Sequence, residues 1–191
     1  MIDSLEAQKV ISQHRKDAII IATFSAMGEW PQVSTNPDLD WLMAGCMGKI
    51  SSFALGLALA QPAKKIIVLD GDGSLLMNLG TLATIANMAP PNLIHFVLEN
   101  GVYRTTGGQP IPNAGKINFM GLAKSAGYSN AYEFDDIRDF ENKVETILNQ
   151  TGPVFVCLKC PPLTERAPIL FSSARETIRQ RVRAAIQRSP H

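Results

Sequence analysis

The sequence has 191 residues, 46% of them hydrophobic and 18% charged, with a formal net charge of +1. That balance suits one core-forming domain over residues 1–191 and excludes a disordered chain, while the near-neutral charge gives no reason to expect nucleic acid or an anionic membrane as partner. No apolar run approaches the ~18 residues of a membrane span. No export leader opens the chain, so Cys46, Cys157 and Cys160 are expected as reduced thiols in a cytoplasmic protein.

In chain order, residues 2–15 read as a helix, with Leu5, Val10 and Ile11 apolar among charged neighbours. Ala18 to Thr23 is a buried strand, and residues 24–40, lacking periodicity and holding Gly28, Pro31 and Pro37, read as a loop over the strand ends. Trp41 to Ala44 forms a short strand entering Gly45-Cys46-Met47-Gly48, followed by an apolar helix over Ile50 to Ala60. Ile66 to Leu69 is a buried strand ending in Asp70-Gly71-Asp72-Gly73. Ser74 reads as the N-cap of a helix carrying Leu76, Leu79, Leu82, Ile85 and Ala86 at helical spacing. A strand over Leu93 to Leu98 then runs into Glu99-Asn100-Gly101, and a long loop follows over Gly101 to Gly115. A helix (117–127), a short strand (131–134), an amphipathic helix (135–150) and a last buried strand (153–158) complete the domain, before an arginine-rich helical tail over 172–191. Strands alternating with helices predict an α/β fold: a mostly parallel sheet covered by helices on both faces.

The chemistry concentrates in residues 70–100. A right-handed β-α-β crossover brings both strand ends to one edge of the sheet, so Asp72 and Asn100 face a common crevice. A carboxylate and an amide oxygen beside a helix N-terminus suit a divalent ion carrying a diphosphate.

Gly71-Asp72-Gly73, the spacer 74–98 and Glu99-Asn100 resemble the fingerprint of thiamine diphosphate enzymes. The resemblance implies the thiamine diphosphate-binding fold, with Mg²⁺ held by Asp72, Asn100 and the carbonyl of Val102, and the cofactor beside Gly71, Gly73 and Ser74. Glu99 stands where the family has its first asparagine, which leaves that ligand set intact. Residues 44–60 resemble the segment before the family's GDG strand. Gly45 is thereby implied to accept a hydrogen bond from the aminopyrimidine, and Met47 to prop the cofactor in its bent form, although methionine is also an ordinary core filler. Gly-x-Met-Gly together with Thr106-Gly107-Gly108-Gln109-Pro110 is most similar to the sulfopyruvate and phosphonopyruvate decarboxylases. A small anionic 2-oxo acid is the implied substrate, and the cofactor supplies the chemistry by accepting the electrons left when CO₂ departs.

Two departures fall where substrate is handled. That subgroup usually carries histidine at the position of Lys49, and a Ser-Arg-Glu run in the loop that here reads from Thr23 to Trp30 without the arginine. Lys49 and Arg104 are the candidate cations for the substrate's anionic end; solvated or diphosphate-facing roles are equally compatible. The catalytic residue is unknown. In the family the activating glutamate sits on a pyrimidine-binding domain for which this chain has no room, and neither Glu29 nor Glu99 matches it. The expectation is a split enzyme, active only with a pyrimidine-binding partner in an α2β2 or larger assembly, whose site side is left uncovered at residues 24–40 and 101–115, with Phe24, Met27, Trp30, Val102 and Tyr103 awaiting that partner. A carboligase subunit and a non-catalytic cofactor-binding scaffold are the alternatives; a ferredoxin-linked oxidoreductase is disfavoured by the lack of cluster cysteines. Cys157-x-x-Cys160 lacks the companions of a zinc site. His95, in an apolar strand, reads as a core histidine, and Arg175, Arg179, Arg181, Arg183 and Arg188 read as a solvated or partner-contacting helix face.

Overall fold

Apolar, β-branched runs dictate the centre of the molecule. The computed structural model describes residues 1–162 and 175–188. In order, these form α1 (Ser4–His14), β1 (Ile19–Thr23), α2 (Phe24–Glu29), β2 (Asp40–Met43), α3 (Ile50–Ala60), β3 (Ile66–Gly71), α4 (Asp72–Leu76), α5 (Thr81–Met88) and β4 (Leu93–Glu99). A small ribbon follows, β5 (Val102–Tyr103) and β6 (Gln109–Pro110), then α6 (Phe119–Ala126), β7 (Asn130–Phe134), α7 (Ile137–Asn149), β8 (Val154–Lys159) and α8 (Arg175–Arg188).

The main sheet has six strands in the order β2-β1-β3-β4-β8-β7, every pair parallel. Side chains alternate between its faces. Ile20, Ile67, Phe96 and Val156 pack with α1 and α7, whereas Ile21, Val68, Val97 and Phe155 pack with α3, α5, α6 and α8. Burial on both faces is what makes β1 and β4 continuous apolar runs. The helices start where side chains can cap them: Asp3 accepts from Leu5 N and Glu6 N, and Asp136 from Arg138 N and Asp139 N. From β1 the chain steps outward to β2 and returns past β1 to β3. The strand order therefore reverses between β1 and β3, and a crevice opens at their carboxyl ends, as such switch points require.

Three segments differ from the expectation. Residues 24–40 contain α2 and two short 3₁₀ turns rather than a loop. Met27 and Trp30 are buried in the chain's own core, so they offer no surface to a partner; Phe24, Val102 and Tyr103 are half-buried. The long helix expected after Ser74 is two helices, because the chain winds through i→i−3 turns between Met77 and Leu82. That winding lays Met77 against Gly48, where an added Cβ would come within 2.9 Å of the Met77 Cβ. Finally, Gly71 rather than Ser74 occupies the N-cap of α4. Of the expected tail, 172–174 and 189–191 lie outside the described residues.

Candidate functional site

The loops at the carboxyl ends of β1, β3, β4 and β8 line a cleft that opens to solvent. Met47, Gly71, Asp72, Gly73, Ser74, Asn100, Val102 and Arg104 all line it. Gly45 and Lys49 do not: both are exposed on the turn between β2 and α3. One β-α-β unit carries the acid and the amide, which is why their spacing in sequence was sufficient to bring them together.

Asp72 is 2% exposed, and its two oxygens accept backbone N–H groups, Oδ1 from Gly73 at 2.7 Å and Oδ2 from Gly101 at 2.6 Å. Among the described residues five acids are buried, and four have a basic partner. Asp40 pairs with Arg15, Glu29 with Arg104, Glu99 with Lys159, and Asp70 lies 3.4 Å from His95 Nε2. Asp72 has no ion pair there. Burial accordingly pushes its pKa up to about 6, opposed by the N–H groups of Gly101 and Gly73 and reinforced by the negative charge of Glu99. A buried carboxylate without a counter-charge is costly, and a divalent cation would supply one.

The neighbouring oxygens fit such an ion. Asn100 is half-buried, and its Oδ1 accepts Val102 N at 3.0 Å, which folds the backbone back over the strand end. Val102 is the ladder partner of Pro110 in the β5–β6 ribbon. Ile111 N donates to the Gly101 carbonyl at 3.0 Å, which makes Val102 and Pro110 a non-hydrogen-bonded pair of the ladder, so the Val102 carbonyl takes no N–H from its ladder partner. Ser74, inside α4, accepts Gly48 N at 3.1 Å through its hydroxyl and so ties the Gly45–Gly48 turn to the crevice. Gly73 has to be small: a Cβ there would lie 2.5 Å from the Tyr103 ring.

The cleft has further lining, part of it on the Thr23–Trp30 loop and at Tyr103, where the sequence places the open side of the site. Thr23, Phe24 and Ser25 line it where β1 turns into α2, and Phe24 has φ 49°, an unfavourable conformation for a bulky residue. Thr105, Tyr103, Ser4 and Cys160 complete other walls. Ser4, Thr105 and Cys160 are the lining residues that carry no such signal in the sequence. Arg104 Nη1 donates to Glu29 Oε1 at 2.5 Å, so an arginine does reach the loop at 24–30, from a position 75 residues away. Glu99 turns from the cleft toward Lys159 and the thiol of Cys157, and burial raises the pKa of both Cys157 and Cys160, the latter to about 12. His95 is fully buried against Phe155. No helix among the described residues is long and apolar enough to cross a membrane.

Comparison with known proteins agrees with this geometry. Over 178 residues the chain is 36% identical to sulfopyruvate decarboxylase subunit beta of Methanothermobacter thermautotrophicus, spanning 93% of this chain and 92% of that one. Over 155 residues it is 33% identical to phosphonopyruvate decarboxylase of Streptomyces viridochromogenes, covering 81% of this chain but only 38% of that longer protein. The benzoylformate decarboxylase structure from Polynucleobacter necessarius shares the fold, with a TM-score of 0.74 at 15% identity over 86% of this chain and 34% of that one. Residues 25–158 match the model of the thiamine pyrophosphate enzyme C-terminal TPP-binding domain, and the chain belongs to that family.

Proposed function

We propose that this chain is the diphosphate- and Mg²⁺-binding subunit of a split thiamine diphosphate-dependent 2-oxo acid decarboxylase of the sulfopyruvate or phosphonopyruvate type. The observation that carries the reading is Asp72, the one buried acid among the described residues without a basic partner, set beside Asn100 and the Val102 carbonyl. Asp72, Asn100 and Val102 would hold Mg²⁺ through three oxygens, while Gly71, Gly73 and Ser74 flank the diphosphate and Met47 its organic half. When bound, the cofactor supplies the electron sink for loss of CO₂.

The chain's own part is to bind, orient and exclude water. A buried carboxylate and backbone groups fixed by Gly71 and Gly73 pre-set the oxygens, so little reorganisation accompanies binding. Glu29 and Glu99, the two glutamates weighed as the activating acid, are engaged with Arg104 and Lys159. This supports an activating glutamate supplied by a separate pyrimidine-binding subunit, in an α2β2 or larger complex. With Lys49 outside the cleft and Arg104 bound to Glu29, the substrate's anionic end falls chiefly to the partner.

Calorimetry with Mg²⁺ and thiamine diphosphate tests the centre of this reading. Asp72→Ala should weaken binding at least about 100-fold, equivalent to roughly 2.7 kcal/mol. Unchanged affinity in a folded variant removes the proposal. Release of CO₂ from charged 2-oxo acids should begin only when the pyrimidine-binding subunit is added. Turnover by the chain alone would overturn the split arrangement, condensation products in place of CO₂ release would mark a carboligase, and inactivity of the reconstituted pair would leave a scaffold.

A further inference from the structure

We infer that Glu29 is a positioning residue for the loop that carries the Val102 carbonyl, acting through Arg104. The inference rests on the reading of Val102 as a cofactor-site ligand. Leaving β4, the loop is fixed on one side by its own backbone. Gly101 N–H donates to Asp72, Ile111 N–H to the Gly101 carbonyl at 3.0 Å, and Gly108 N–H to the Tyr103 carbonyl at 3.0 Å. These bonds anchor the loop to the first residue of α4 and to itself. Arg104 carries its link to the β1 side of the cleft, where Glu29 closes α2.

The Glu29 carboxylate is saturated with donors from two directions. Its Oε2 accepts Ser4 Oγ at 2.5 Å and Gln8 Nε2 at 2.6 Å, both from α1, while Oε1 accepts Arg104 Nη1. The paired side chains are 11% and 12% exposed, so solvent screens the interaction weakly. Both ends of this bridge are themselves fixed. Ile2 N–H donates to the Lys159 carbonyl at 2.7 Å, pinning the start of α1 to the end of β8, and Asp3 caps that helix. A rigid helix thus holds a carboxylate, the carboxylate holds a guanidinium, and the guanidinium stands two residues beyond the proposed metal-binding carbonyl. Charge-assisted bonds of this kind fix direction as well as distance.

The full-length chain provides the test, with variants Glu29→Gln, Arg104→Met, Arg104→Lys and the double variant Glu29→Gln/Arg104→Met. Hydrogen exchange without cofactor should quicken for amides 101–106 in Arg104→Met and Glu29→Gln, with the amides of β3 and β4 unchanged. Mg²⁺-dependent thiamine diphosphate affinity should fall about 10-fold in each, the scale of one lost charge-assisted hydrogen bond. The double variant should be no weaker than Arg104→Met alone, and Arg104→Lys should keep most of the affinity. Unchanged loop exchange, additive losses, or losses that follow melting temperature across all variants would overturn the positioning role. If the unsubstituted chain binds no Mg²⁺–thiamine diphosphate, the proposed function fails, while loop exchange still decides whether Glu29 holds the loop.

Discussion

Two buried acids, one at each end of the sheet, are treated in opposite ways. At the amino end of β2, Asp40 is 3% exposed and fully answered: Arg15 Nη1 and Ser34 Oγ donate to its two oxygens. Arg15 Nη2 also reaches the Ala18 carbonyl at 2.7 Å, and its guanidinium lies 5.6 Å from the Trp30 ring centroid. At the carboxyl end, Asp72 is buried as deeply but receives only backbone N–H groups. Both acids suffer the same desolvation, and only one is neutralised from within. Asp70, Glu29 and Glu99, near the carboxyl end, are paired as Asp40 is, so it is the single unpaired acid, not the end of the sheet as a whole, that marks where something binds.

The largest expected effect comes from making the finished end resemble the unfinished one. Arg15→Met strands the Asp40 charge and should cost about 3–5 kcal/mol in denaturant unfolding at pH 7. A loss below about 1 kcal/mol would show that burial of an unpaired acid is cheap here, and the comparison would lose its force. Next in size is the pH response of Asp72. Its folded pKa of about 6 lies above the ordinary 3.8, so the folded cofactor-free chain holds the proton more tightly than the unfolded one. That stabilisation is fully present below about pH 4 and is lost as pH rises through about 6, on the order of 3 kcal/mol at about 1.4 per unit. Melting of the unsubstituted chain against Asp72→Ala across this range should show the difference, and saturating Mg²⁺ and thiamine diphosphate at pH 8 should offset it. Parallel pH profiles for the two proteins would refute the assignment. The smallest effect is expected at Arg188 and Asp38, an ion pair 3.1 Å long but 66% and 54% exposed. Arg188→Ala should move stability by no more than about 0.5 kcal/mol, and less in high salt.

The strands were readable because each is buried on both faces and so announces itself as an apolar run; Ile50 to Ala60 was readable because nothing in it interrupts a helix. Residues 24–29 were not, since a single helical turn and a half containing Gly28 has no periodicity to detect. The break between α4 and α5 was hidden because Leu76, Leu79 and Leu82 keep helical spacing straight through the turn at 77–80. Ser74 was misplaced as a cap because a serine hydroxyl answers any nearby N–H, and here the nearest is that of Gly48, 26 positions away in sequence. Within the site, Asp72 and Asn100 were legible through local topology. The bond between Glu29 and Arg104 was not, because it joins distant segments that only the assembled sheet brings together. Trp30 and Met27 were misjudged for the same reason, as their covering comes from elements remote in sequence.

The helix α8 has one more consequence. α8 lies along β2, the strand at one margin, where Val182 and Ala185 are buried and Arg181 Nη2 reaches the Asp40 carbonyl at 3.4 Å. An uncovered margin strand is a template for pairing with another molecule. The opposite margin, β7, has Glu133 to discourage that, but β2 presents Trp41, Leu42 and Met43 in succession. α8 therefore works as a guard against aggregation. A chain stopped after residue 162 would keep its cleft yet expose a sticky hem, and the first symptom of losing the helix would be precipitation rather than inactivity.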